Sequence, residues 1–145
     1  MFKPGRGALS LSAGTFLDLN GFDVEFADAT GEGVVSNRAE AVSTLTLGYG
    51  NVDGVFLAAV GERVNVVKTG TGTLTVSGAA LANGCNLTIE DGTVVFSGDS
   101  STYGTVTVKS GATLDHAGTH FSCANLVRER GGLILPKPGF MMILR

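Results

Sequence analysis

The sequence predicts an all-β fold: a right-handed parallel β-helix, or solenoid, that completes each coil in about 20 residues. Three observations predict it. First, the segments GTLTVSG (72–78), GTVVFSG (92–98) and ATLDHAG (112–118) share one register, with Thr73, Thr93 and Thr113 twenty apart and Gly78, Gly98 and Gly118 likewise. Second, a companion series runs between them, NLTIEDG (86–92), TVTVKSG (105–111) and NLVRERG (125–131), whose anchors Leu87, Val106 and Leu126 lie nineteen and twenty apart. Third, no window of eleven or more residues carries a helical stripe, and the 22 glycines fall between short apolar segments, where they read as turn punctuation. A strand, a glycine turn and another strand repeated at constant spacing cannot bury its apolar face alone, and stacking the units supplies the core.

The same pattern extends toward the N-terminus with less regularity. Residues 9–21 align on residues 87–98, with Leu9 on Leu87 and Gly14 on Gly92, and then need one extra residue, which predicts a bulge. Residues 22–26, 33–37, 43–50, 54–61 and 64–70 follow, each short, β-branched or aromatic and closed by Gly, Asn or Asp. RAEAV (38–42) suits a helix but is too short to hold one. Alternation then assigns faces. Leu74, Val76, Leu87, Ile89, Val94, Phe96, Val106 and Val108 point inward, while Thr, Ser and Lys point out. About seven coils would form a rod roughly 30 Å long at the strand spacing. His116 and Arg128 fall at core positions of the register, which reads as a coil ending. Pro136 and Pro138 suit an edge, since proline donates no ladder hydrogen bond. The chain is read as one domain over 1–145, with regular repeats at 8–118 and an irregular terminal rung or cap at 119–145.

Composition narrows the function classes. A net charge of −3, with no basic run or aromatic platform, gives nucleic acid nothing to bind. No stretch is long enough to span a bilayer, and the first residues lack the apolar core of a signal peptide, so an export signal is expected outside this chain. Cys85 and Cys123 occupy comparable places two coils apart, about 10 Å by the strand spacing, and are expected to be free, buried thiols rather than a disulfide.

At VNVVKTGTGTLTVSGA (64–79) the sequence resembles the autotransporter-associated β-strand repeat of passenger regions in large bacterial surface proteins. Val66, Val67, Lys68, Gly70, Gly72, Thr73, Leu74, Thr75, Ser77 and Gly78 match that family's pattern, and Val76 is a mild variant. Residues 14–27, 33–37 and 43–48 resemble what commonly precedes it; the likeness covers 8–118 and is best over 43–98. The resemblance implies a secreted or surface-displayed, adhesin-like β-solenoid with no shared catalytic residues. With only one clear copy of the signature, the chain reads as a fragment, or a short paralogue, of a longer passenger.

The candidate chemistry is sparse. Polysaccharide-cleaving β-helices need carboxylates converging on one strand face, whereas Asp91, Asp99 and Asp115 fall on different sides of the coil. His116 and His120, four apart, would meet at a metal only on a helix. TGTG (69–72) lacks the following helix that a phosphate-cradling loop requires. Asn86-Leu87-Thr88 is formally a glycosylation acceptor, but it opens a central strand. Thr73, Thr75, Thr88, Thr93 and Thr107 could stack as a polar strip for sugar contact, with Tyr49 and Tyr103 as exposed aromatics; solvated strand surface explains them as well. No catalytic, cofactor-binding or metal-binding residue is expected, and no cofactor. The expected function is non-enzymatic and structural, at the cell surface, outer membrane or outside the cell. Its partners would be neighbouring repeats of a parent chain or a second copy through the solenoid edges, with surface glycans as a further candidate. The alternative is a carbohydrate-binding or polysaccharide-cleaving β-helix.

Overall fold

The computed structural model describes residues 7–77, 85–98, 102–135 and 143–144, with side chains described through residue 135 except at 102 and 103. The chain winds coil upon coil. The first coil holds β1 (Ala8–Leu11), β2 (Phe16–Asp18) and β3 (Val24–Phe26), and the second β4 (Asp28–Gly31), β5 (Val34–Ser36) and β6 (Ser43–Leu47). The third holds β7 (Gly54–Phe56), β8 (Ala59–Val60) and β9 (Val64–Lys68). Four shorter pairs follow: β10 (Thr73–Ser77) with β11 (Leu87–Ile89), β12 (Thr93–Ser97) with β13 (Thr102–Val108), β14 (Thr113–Asp115) with β15 (Ser122–Arg128), and β16 (Leu133–Leu135) with β17 (Ile143–Leu144).

Every pairing among the described residues is parallel and joins a strand to its counterpart one coil away. The first sheet runs β1-β4-β7-β10-β12-β14-β16, the second β17-β15-β13-β11-β9-β6-β3, and a third of three strands β2-β5-β8. Seven strands in the first sheet enclose six turns of a parallel β-helix. Thr73 pairs with Thr93 and Thr93 with Thr113, and Leu87 pairs with Val106 and Val106 with Leu126, the two registers read from the sequence. The register runs on through β15 and β16, where Val108 pairs with Arg128 and Leu114 with Ile134.

The interior is an apolar ladder. Leu74, Val94 and Leu114 stack in the first sheet and Leu45, Val66, Leu87 and Val106 in the second, each 4% exposed or less. Strand residues between them face outward, because successive side chains alternate across a strand. A polar ladder guards the entry to the second sheet. Asp23 Oδ1 accepts the Thr44 amide at 2.7 Å, Asn65 Oδ1 the Asn86 amide at 3.3 Å and Asn86 Oδ1 the Thr105 amide at 2.8 Å. Each side chain thereby satisfies a backbone donor of the next coil just before the sheet takes over.

Two expectations need correcting. Leu9 lies in the first sheet, paired with Ala29, and so belongs with Leu74 rather than with Leu87. The two strand series share one alternating, glycine-closed pattern, so the pattern alone aligns a segment to either; pairing decides which. The residues after Gly14 form no bulge but an additional strand, β2, which opens the third sheet. RAEAV is a bend, held by Asn37: its Nδ2 donates to the Ala41 carbonyl at 2.7 Å and the Arg63 carbonyl at 2.9 Å, while its Oδ1 accepts the Gly21 and Ala39 amides. Gly78, Pro136 and Pro138 lie outside the described residues.

Candidate functional site

The one buried cation of the described residues sits at the corner between the second and first sheets. Alternation along β9 sends Val64, Val66 and Lys68 inward together, and Lys68 is 1% exposed. This corrects the expectation that lysines face out; Lys109 obeys it, lying at the surface 3.2 Å from Glu90. In the register Lys68 occupies the place of Leu47 on one side and Ile89 on the other. Its stem lies along the core, and its Nζ donates to the carbonyls of Thr69 at 2.6 Å, Gly70 at 2.7 Å and Asp91 at 3.3 Å. An ammonium carries three donors and no acceptor, and here it meets three acceptors. Burial lowers the pKa of Lys68 below its ordinary value, opposed by the carboxylates of Asp91 and Asp53.

Glycines make the corner possible. Gly70 and Gly92 hold φ of 73° and 68°, a region that side chains disfavour. A Cβ on Gly92 would collide with the carbonyl oxygens of Gly70 and Gly72 and lie 2.7 Å from Lys68 Nζ. Lys68 and Gly70 are therefore a packing unit, in which the glycine turns its carbonyl toward the ammonium.

The other candidates disperse. The threonine strip divides between sheets: Thr73, Thr93 and Thr113 stack outside the first, with Thr75 beside Val95, while Thr88 and Thr107 stack outside the second. Tyr49 is half-buried, and the Tyr103 side chain lies outside the described residues. The exposed aromatics are instead Phe16 at 73% and Phe22 at 61%, which sequence reasoning missed because both sit in apolar segments that alternation reads as core. Asp91 Oδ1 accepts the Gly92 amide and Asp115 Oδ1 the Ala117 amide, so both build turns; Asp99 lies outside the described residues. No group of three or more metal-ligating side chains assembles among the described residues.

His116 is fully buried where the register put it, but the coil continues past it. Its Nδ1 lies 3.0 Å from the Thr119 carbonyl, which can only accept, so the ring proton belongs on Nδ1. Phe121 stacks on the His116 ring at 6.1 Å and on Phe96 at 5.7 Å. His120 is exposed. Cys85 and Cys123 are buried thiols outside any disulfide; the Cys85 thiol donates to the Gly61 carbonyl at 3.3 Å, and burial raises the pKa of Cys123. A cleft of about 350 Å³ opens where Glu62, Arg63, Asn65 and Asn86 meet Val42 and Cys85.

Compared with known proteins, the chain is 38% identical over 92 residues to the adhesin BmaC autotransporter of Brucella suis biovar 1 (strain 1330). The match takes in 61% of this chain and spans 3% of that relative's length. No family model matches the chain, and no solved structure matches it. No helix among the described residues is long and apolar enough to cross a membrane. A solenoid of parallel strands stacked at the repeat spacing, joined to this likeness, fits the repeat of an autotransporter-like passenger region.

Proposed function

We propose that this chain is a non-enzymatic, adhesin-like segment of a surface-displayed bacterial protein, which spaces or presents binding elements away from the cell. The observation that carries the reading is the coincidence of a continuous parallel solenoid with a 38% likeness to an autotransporter adhesin. Solenoid stability grows coil by coil, which suits a stalk whose length is the functional variable. The partners in this reading are neighbouring coils of a longer chain or a second copy. The test is an epitope tag placed in the exposed bend at residues 38–42 of the protein in its native host. Antibody should label intact cells. Labelling that appears only after lysis would overturn the proposal.

A second reading, contact with surface glycans, is favoured by the exposed rings of Phe16 and Phe22 and by the cleft beside Glu62 and Arg63. Rings stack on sugar faces, and side-chain amides and charges orient hydroxyls. Binding to a glycan array that is lost in a Phe16→Ala, Phe22→Ala double variant would support it; unchanged binding would reject those rings as the contact.

A further inference from the structure

We propose that the corner between β9 and β10 is an ammonium-binding site, built from main-chain carbonyls and filled by the chain's own Lys68 side chain as a tethered ligand. Three carbonyl oxygens from two successive coils, those of Thr69 and Gly70 on one and Asp91 on the next, converge on Nζ. The site is built rather than incidental, because glycine is required around it. A Cβ on Gly70 would collide with the Gly48 carbonyl oxygen, one on Gly92 would lie 2.7 Å from Nζ, and one on Gly48 would lie 3.3 Å from Cδ and Cε of Lys68. All three glycines hold positive φ. The same register position carries a second cation three coils further along, through Ile89 and Val108 to Arg128, whose Nη1 donates to the Gly132 carbonyl at 3.4 Å. Arg128 is exposed there and turns to one carbonyl of the adjoining corner, where Lys68 is buried and turns to three.

The consequence is structural linkage between coils. Strand ladders hold the sheets together; at the corner, one ammonium gathers carbonyls of both coils. Lys68 is thus a positioning residue for the corner that opens β10, the strand with which the surface-protein signature continues.

The test is chemical rescue. Lys68→Ala removes Cγ through Nζ, the atoms of one n-propylammonium ion. Melting temperature is measured for the native protein and the variant against n-propylammonium chloride, with tetramethylammonium chloride and n-propanol as controls that lack N–H donors or charge. The variant should melt roughly 10 °C lower. n-Propylammonium should recover part of that loss in a saturable manner, without effect on the native protein, and neither control should do so. Equal recovery by tetramethylammonium, or no recovery, would overturn the proposal. Should Lys68→Ala fail to fold, Lys68→Met keeps the stem and loses the donors. A melting temperature lowered by about 4–8 °C is then expected, and one equal to or above that of the native protein would overturn the ammonium site.

Discussion

The coils from β10 onward and the three before them solve one packing problem in different ways. The later coils repeat with a constant step in the first sheet, and identical or similar side chains lie on one another, Thr73 on Thr93 on Thr113 and Leu74 on Val94 on Leu114. The earlier coils add a third sheet, and the step that pairs Gly31 with Phe56 is five longer than the one that pairs Thr73 with Thr93. The extra length is held by side-chain hydrogen bonds. Asn37 ties the bend at 38–42 to Gly21 and Arg63, and Asp18 Oδ1 receives the amides of Asn20 and Arg38. Repetition stabilises the later half chiefly through its ladder, with single side-chain clamps such as Asn86 on the Thr105 amide, whereas the earlier half adds the multiple bonds of Asn37 and Asp18. Loss of Asn37 should therefore weigh most in the irregular coils, and interior charge most in the regular ones.

Four expectations test that contrast. The largest effect belongs to Val94→Asp or Leu74→Asp in the regular half, each placing an unpartnered carboxylate in a ladder 3% exposed or less. A loss of more than about 4 kcal/mol is expected, read as collapse of the circular-dichroism melt; a folded variant would mean that the faces are assigned wrongly. Next comes Asn37→Ala in the irregular half, which strips four hydrogen bonds from a side chain 6% exposed and should cost roughly 2–3 kcal/mol. Hydrogen exchange should accelerate at the Gly21 and Ala39 amides and leave β12 and β14 protected. Uniform acceleration would erase the distinction between the halves.

The third expectation concerns pH. The folded pKa of Lys68 lies below 10.5, its ordinary value, so between the two the unfolded chain binds more protons than the folded one. Stability contributed by this residue therefore rises as pH climbs through that window and levels off above 10.5. Deprotonation leaves two N–H donors for the three carbonyls, and the cost of burying the charge, which lowers the pKa, disappears. Urea unfolding at several alkaline pH values should show the native protein gaining on Lys68→Met, with other titrations common to both; a gap that narrows with rising pH would contradict the sign. The smallest effect is expected at Thr75→Asp, an outward position of β10, which should stay within about 0.5 kcal/mol. A large loss there would mean that the outer face of the first sheet is packed.

The resemblance to an autotransporter passenger rested on a pattern in which lysine had no stated role. The structure supplies one, since Lys68 and Gly70 form the two halves of a carbonyl-to-ammonium corner. Alternation along VNVVK already placed Lys68 on the inner face, so the signal was available in the sequence. The habit of sending charge to solvent overrode it, because the three carbonyls that make an inward ammonium tolerable come from a corner conformation and a neighbouring coil. His116 is the parallel case: its register position was legible, while the Thr119 carbonyl and the Phe121 ring that receive it were not.

By itself the sequence determined the coil length, the two main strand registers and the inner and outer faces of β10 through β14. All three follow from side-chain alternation and constant spacing, which are local properties. Tertiary structure alone decided that Leu9 joins the first sheet, that β2, β5 and β8 make a third, and that Phe16 and Phe22 lie exposed. The physical reason is that a strand becomes part of a particular sheet through hydrogen bonds to a partner one coil away, and similar half-coils offer several partners that local pattern cannot tell apart.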